Sequence, residues 1–157
     1  MTGRTARIHR DEQGQVGGIE SVIFGVLVFV LGTLLVANAW GVIDAKLAAS
    51  SAAREAARTY AEATSGGDAW PAARQAAKDA IEGHGRDWAR ASVEPPEGVR
   101  FERCERFTVE VRYDVPLVAI PLLGQLGTGI EVTARHSEIV DPYRSGLPGT
   151  AACEIDE

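Results

Sequence analysis

One run of residues sets the terms for the whole chain. Residues 21–43, SVIFGVLVFVLGTLLVANAWGVI, contain no Asp, Glu, Lys or Arg. As a helix rising about 1.5 Å per residue, this run is roughly 35 Å long, enough to cross a hydrocarbon core of about 30 Å. It is longer than the apolar region of a signal peptide, about 7–15 residues, so it reads as a retained transmembrane anchor. An Ala-x-Ala match at Ala37, Asn38 and Ala39 does not outweigh that length. Glu20 stands at the edge of the run, and Arg4, Arg7 and Arg10 precede it. Short basic flanks stay on the cytoplasmic side, so the N-terminus is expected there and everything after the run outside.

No proline occurs between Ile8 and Trp70. A helix that starts near Gln15 can therefore leave the membrane unbroken. Residues 44–64, DAKLAASSAAREAARTYAEAT, are rich in alanine, the strongest helix former. Arg58 and Glu62 form an i,i+4 pair, and Glu55 and Arg58 an i,i+3 pair. Ser65, Gly66 and Gly67 then stop the helix. Small residues recur every fourth position at Ala37, Gly41, Ala45, Ala49, Ala53, Ala57 and Ala61. Such a ladder lets helix backbones approach closely and reads as a packing seam for another subunit. The other reading is alanine-biased composition.

Asp68 is the expected N-cap of a second helix, with Pro71 in its first turn. Trp70, Ala73, Ala77, Ile81, His84 and Trp88 follow helical spacing, with a weak point at Gly83, His84 and Gly85. Pro95 and Pro96 mark a turn. The period then changes to two. Phe107, Val109, Val111 and Tyr113 alternate with polar residues, as do Ile130, Val132 and Ala134, and Val99 and Phe101 suggest a shorter third strand. Residues 115–127, VPLVAIPLLGQLG, form an apolar connection expected to fold over the small core or to rest on a membrane or partner. The fold class expected is α+β and membrane-anchored: a transmembrane helix continuing into water, a second helix and a small antiparallel sheet of two to four strands. The segments are a basic tail or leader at 1–14, the transmembrane helix at 15–43, its water-exposed continuation at 44–64, an extracytoplasmic α+β domain at 65–140 and a tail at 141–157.

Net charge is −6, and the first fourteen residues contribute +1 of it, leaving −7 on the remainder. An acidic body excludes nucleic acid as the expected partner. Cys104 and Cys153 both follow the anchor, so they can pair in an oxidising compartment. Their spacing has no metal-ligand pattern, and His9, His84 and His136 do not cluster with them, so no metal or cofactor is expected. No G-x-S-x-G, H-E-x-x-H, P-loop or Rossmann glycine pattern occurs, and no enzymatic role is expected.

A basic tail, Gly14, a short small-residue run, Glu20 and an apolar helix together resemble the N-terminus of type IV pilin-like proteins. More narrowly, the chain resembles the TadE-like pseudopilins of tight-adherence (Flp-type) pilus systems, through AASSAAREAARTYAEA, the strand pair and VTARHSEIVDPYRSGLPG. The resemblance implies a non-enzymatic membrane subunit whose partners are other pilin-like subunits and pilus or secretion machinery. It also implies processing by a prepilin peptidase between Gly14 and Gln15, with Glu20 orienting neighbouring subunits. The family places the glutamate five residues after the glycine, whereas here Glu20 stands six after Gly14. The alternative is a single-pass envelope binding module that does not polymerise.

Overall fold

Ser65, just past the alanine-rich segment, starts the second helix. The computed structural model describes residues 13–116 and 129–153, with side chains from Gly18 onward. Helix α1 spans Gln13–Glu62, and helix α2 spans Gly66–Gly83. Ser65 is the N-cap of α2: its hydroxyl accepts from the Asp68 N–H at 3.3 Å and donates to the Asp68 carboxylate at 2.8 Å. The expected cap at Asp68 is therefore corrected by three residues. Asp68 instead lies in the first turn, where its charge favours the N-terminal end of the helix dipole. Pro71 lies inside the helix rather than in its first turn, because α2 starts at Gly66.

The end of α2 is set by glycine. Gly85 has φ +69°, its N–H bonds to the Glu82 carbonyl at 2.8 Å, and the Arg86 N–H bonds to the Ile81 carbonyl at 3.1 Å. This pair of bonds is a Schellman cap, which needs a left-handed residue at the position Gly85 fills. Trp88 consequently leaves α2 and enters a short 3-10 turn, Trp88–Arg90. The Arg74 guanidinium sits 5.3 Å from the centre of the Trp88 ring.

Three antiparallel strands come next, in the order β1-β2-β3: β1 at Ala91–Glu94, β2 at Arg106–Val115 and β3 at Ile130–Ile139. The register pairs Val93 with Val111, Val111 with Ala134, and Tyr113 with Val132. The short third strand is therefore Ala91–Glu94, not the stretch around Val99 and Phe101. Pro95 and Pro96 end that strand, and Phe101 packs edge-on against Tyr60, ring centres 5.4 Å apart. Residues 117–127 of the apolar connection lie outside the described residues.

One core joins these elements. From α1 it takes Ala45, Ala48, Ala49, Ala52, Ala53, Ala56, Ala57 and Tyr60; from α2, Ala69, Ala73, Ala77 and Ile81. The sheet contributes Phe107, Val109, Val111, Tyr113, Val115, Val132 and Ala134. Period two along β2 puts its odd-numbered residues inward and Thr108, Arg112 and Asp114 outward. The Tyr60 ring lies 4.5 Å from that of Phe107. Burial pushes the Tyr60 hydroxyl pKa up, and the nearby Glu105 charge adds to the shift.

The final segment belongs to the same core rather than to a separate tail. Val140 and Leu147 are buried in it. Arg103 donates to the Leu147 carbonyl at 2.8 and 3.0 Å, and its backbone N–H donates to the Pro148 carbonyl at 2.9 Å. Cys104 and Cys153 form a disulfide with Cα atoms 5.0 Å apart. Closing that 49-residue separation is worth about 4 kcal/mol in the chain-entropy account. The compact units divide between Ala37 and Asn38, earlier than residue 43, because Gly41, Val42 and Asp44 already engage the globular unit.

The alanine face leaves no room for larger side chains. Ala53→Leu is expected to lower the stability of the globular unit by about 1–3 kcal/mol through overpacking, while Ala39→Leu, on an exposed position, leaves it unchanged. Urea unfolding monitored by near-ultraviolet circular dichroism measures both.

Candidate functional site

The residues from Ile19 to Ile43 of α1 have the surface least suited to water. Val22, Ile23 and Phe24 are consecutive, and each is about two-thirds exposed. Successive residues are 100° apart around a helix, so apolar groups point in every direction. Val26 to Leu31, Leu35, Val36 and Trp40 continue that surface. A helix that is apolar all round is suited to a membrane or to complete enclosure by protein. This one is long and apolar enough to cross a membrane. Its two hydroxyls are satisfied internally: Ser21 donates to the Gly18 carbonyl at 2.9 Å and Thr33 to the Phe29 carbonyl at 2.8 Å. That arrangement lowers the cost of placing each in hydrocarbon.

The residues singled out from the sequence fall at different places. Gly14 and Gln15 lie in the first turn of α1, and Glu20 is exposed less than two turns further on. Arg4, Arg7 and Arg10 lie outside the described residues. The ladder of small residues divides. Ala37 is exposed, and Gly41 is half-buried with open space where a side chain would stand. Ala45, Ala49, Ala53 and Ala57 are fully buried in this chain's own core. Those four therefore cannot form a seam for a second subunit, which corrects the expectation for them. The reason is physical: the chain supplies its own partner for the alanine face, in α2 and the sheet.

Basic residues that the sequence did not bring forward tie α1 to the rest of the globular unit. The Schellman cap turns Arg86 toward α1, where its Nε donates to the Asp44 carboxylate at 2.9 Å and its Nη2 to the Gly41 carbonyl at 3.1 Å. Arg144 donates to the Ala61 carbonyl at 2.9 Å and also to the Glu62 carbonyl, the last residue of α1. These two carbonyls, of Ala61 and Glu62, lie where a helix has no internal donors left and where its dipole favours a cation. Lys46 donates to the Thr133 carbonyl of β3. Arg103 plays a similar part at the closing segment, through the Leu147 carbonyl. The signals were present in the turn residues before Arg86 and in DPYR at 141–144, but the target carbonyls come only with the fold.

The outer face of the sheet is polar. Glu110 accepts from Arg135 at 2.5 Å and from Arg112 at 2.7 Å, and Thr108 and Ser137 share a hydrogen bond of 2.8 Å. His136 and Glu138 pair at 3.1 Å on the opposite face from Ser137, so the three neighbours do not converge. A depression lined by Arg90, Ser92, Arg112, Asp114 and Glu131 measures about 160 Å³, below the range of about 300–1,000 Å³ common for small-molecule sites. Among the described residues no three His, Cys, Asp or Glu side chains group as a metal site.

Comparison with protein-family models, with curated proteins and with solved structures found no match to this chain.

The hydrogen bond from Arg135, and next that from Arg112, holds the Glu110 carboxyl below the usual glutamate range. A depressed carboxyl contributes stability at higher pH and loses it as pH falls through its folded value. Glu110 is half-buried on the outer, polar face of the sheet, where an ion pair adds little to global stability. Titration by carboxyl NMR is expected to show Glu110 ionising below the exposed glutamates. Arg135→Ala should raise its midpoint toward theirs.

Proposed function

We propose that this chain is a membrane-anchored, non-enzymatic structural subunit of the pilin-like type, similar to the TadE-like pseudopilins that serve pilus assembly or secretion. The observation that carries the reading is the division of α1. Its first half, to Ile43, has exposed apolar groups on every side, and its second half is built into the core of a small α+β unit. A single helix that is both membrane element and core element suits a part whose anchor and head act together. Lipid covers the apolar half, and neighbouring subunits contact it there.

The orientation in this reading has the N-terminus in the cytoplasm and the globular unit outside. Arg4, Arg7 and Arg10 support the first assignment. The Cys104–Cys153 disulfide supports the second, because such bonds persist in oxidising compartments. Glu20 sits where the apolar surface begins and is exposed. A carboxylate in that position is stable in a headgroup layer or beside a cation of a neighbouring subunit. Because Ala45, Ala49, Ala53 and Ala57 are enclosed, the assembly contacts in this reading fall N-terminal to them, at Ala37, Gly41 and the apolar half.

The deciding measurement is the mass of the mature chain in cells with and without a prepilin peptidase. The expected product with the peptidase begins at Gln15, having lost residues 1–14, and the chain without it keeps Met1. Retention of Met1–Gly14 in both strains would overturn the processing assignment and, with it, the reason to place this chain among pilin-like subunits.

A further inference from the structure

Strand β3 is ten residues long and paired on one side only. The Val140 N–H bonds to the Glu105 carbonyl at 3.0 Å, one step beyond the paired residues Arg106 and Ile139. In an antiparallel ladder, bonded residues alternate, so the even-numbered residues of β3 bond to β2. The odd-numbered ones, Glu131, Thr133, Arg135, Ser137 and Ile139, turn their N–H and C=O groups away from β2. The bond from Lys46 to the Thr133 carbonyl fixes the same direction independently. Among the described residues it is the one hydrogen bond made to this edge.

The two edges of the sheet are unlike. β1 has four residues and runs into Pro95 and Pro96, which blunt it. β3 has ten residues and no proline. An open row of backbone donors and acceptors of that length is a template for an added strand.

The border of this edge is cationic. Lys46, Ser50, Arg54 and Arg58 form a row four residues apart on α1. Lys46 reaches Thr133 at one end, and at the other Arg58 lies within electrostatic reach of Glu138. Twelve residues of helix and five of strand each cover roughly 17–18 Å, so helix and strand run side by side. Arg58 is paired with Glu62 at 2.9 Å, whereas Lys46 and Arg54 have no carboxylate partner among the described residues. These cations stand out in a body whose net charge is −7 after the first fourteen residues.

We propose that the free edge of β3 docks an extended acidic segment of a partner protein, which adds a fourth strand to the sheet. The backbone ladder would hold the segment, and Lys46 and Arg54 would select its charge. This assignment rests on the globular unit alone and does not depend on the pilin-like reading.

The test uses the full chain in detergent and two synthetic peptides of about ten residues, one alternating Glu and Val, the other Lys and Val. The Glu peptide is expected to bind at least about tenfold more tightly. In the free chain the amides of 131, 133, 135, 137 and 139 should exchange quickly while those of the even positions stay protected, and the Glu peptide should protect the odd ones. Ser137→Pro removes one outward N–H and the exposed hydroxyl bond to Thr108, leaves the backbone ladder to β2 in place, and should weaken binding at least about tenfold. The double variant Lys46→Glu, Arg54→Glu, on exposed helix surface, should reverse the peptide preference and keeps the test open should the proline variant unfold. Equal binding of the two peptides, or no binding, overturns the proposal. So does unchanged affinity in a folded Ser137→Pro chain. Protection of the odd amides in the free chain also overturns it, because this chain would then cover its own edge.

Discussion

The structure depends on how closely one alanine face lets large side chains approach a helix. Seven alanines and Tyr60 make up the buried face of α1, and four small or aliphatic residues make up that of α2. Much of the bulk in the core comes from the sheet, through Phe107, Val109, Val111 and Tyr113, with Tyr60 and Ile81 the large side chains the helices add. Small residues on the helices leave room between the layers for the large ones on the strands. Each alanine removes little apolar area from water, so the face contributes less by burial than by allowing that approach. A core built this way is thin, and it leaves much of the holding to polar contacts at its margins.

Those contacts are bonds from long cationic side chains, most of them to backbone carbonyls. Arg86 holds Gly41 and Asp44, Lys46 holds Thr133, and Arg144 holds the last carbonyls of α1. Each spans elements far apart in sequence, and each begins from a turn or helix surface that local chemistry sets. The Arg86 example is the clearest. Gly85 permits the left-handed cap, the cap ends α2, and the ending directs Arg86 at α1. The disulfide acts at the closing segment. It ties that segment to Cys104, and the segment carries Leu147 into the core and Arg144 to the helix end.

The order of elements is legible in the chain because periodicity is a local property. Alternation in β2 and β3, the absence of proline through α1 and the apolar run all sit in contiguous sequence. The features that the sequence misplaces depend on partners far away. The short strand lies at Ala91–Glu94 rather than at Val99 and Phe101 because Val93 finds Val111 and Phe101 finds Tyr60. The alanine ladder reads as a surface for another subunit because a sequence shows that a face is small, not what already covers it. The segment after residue 141 reads as a tail for a similar reason: the cysteine pair is legible, but turn-rich composition does not reveal the burial of Leu147 or the bonds of Arg103 and Arg144.

In the proposed reading, the enclosed alanines also constrain how copies of this chain assemble. A helix packed on one side by its own head can offer a neighbour only the remaining surface there, and on α1 that surface is charged: Arg54, Glu55, Arg58 and Glu62 are among its residues. The exposed apolar surface reaches Trp40, Ile43 and Leu47, within the first residues of the globular unit. In the proposed reading, contacts driven by close apolar packing therefore fall on the helix up to Leu47, and contacts beyond it are polar. The free edge of β3 lies beside that polar half, with Lys46 on its border. The two proposed association surfaces, one apolar and one polar, thus lie on and beside different stretches of one helix. A change that disturbs one should leave the other in place, provided the alanine face between α1 and the sheet stays closed.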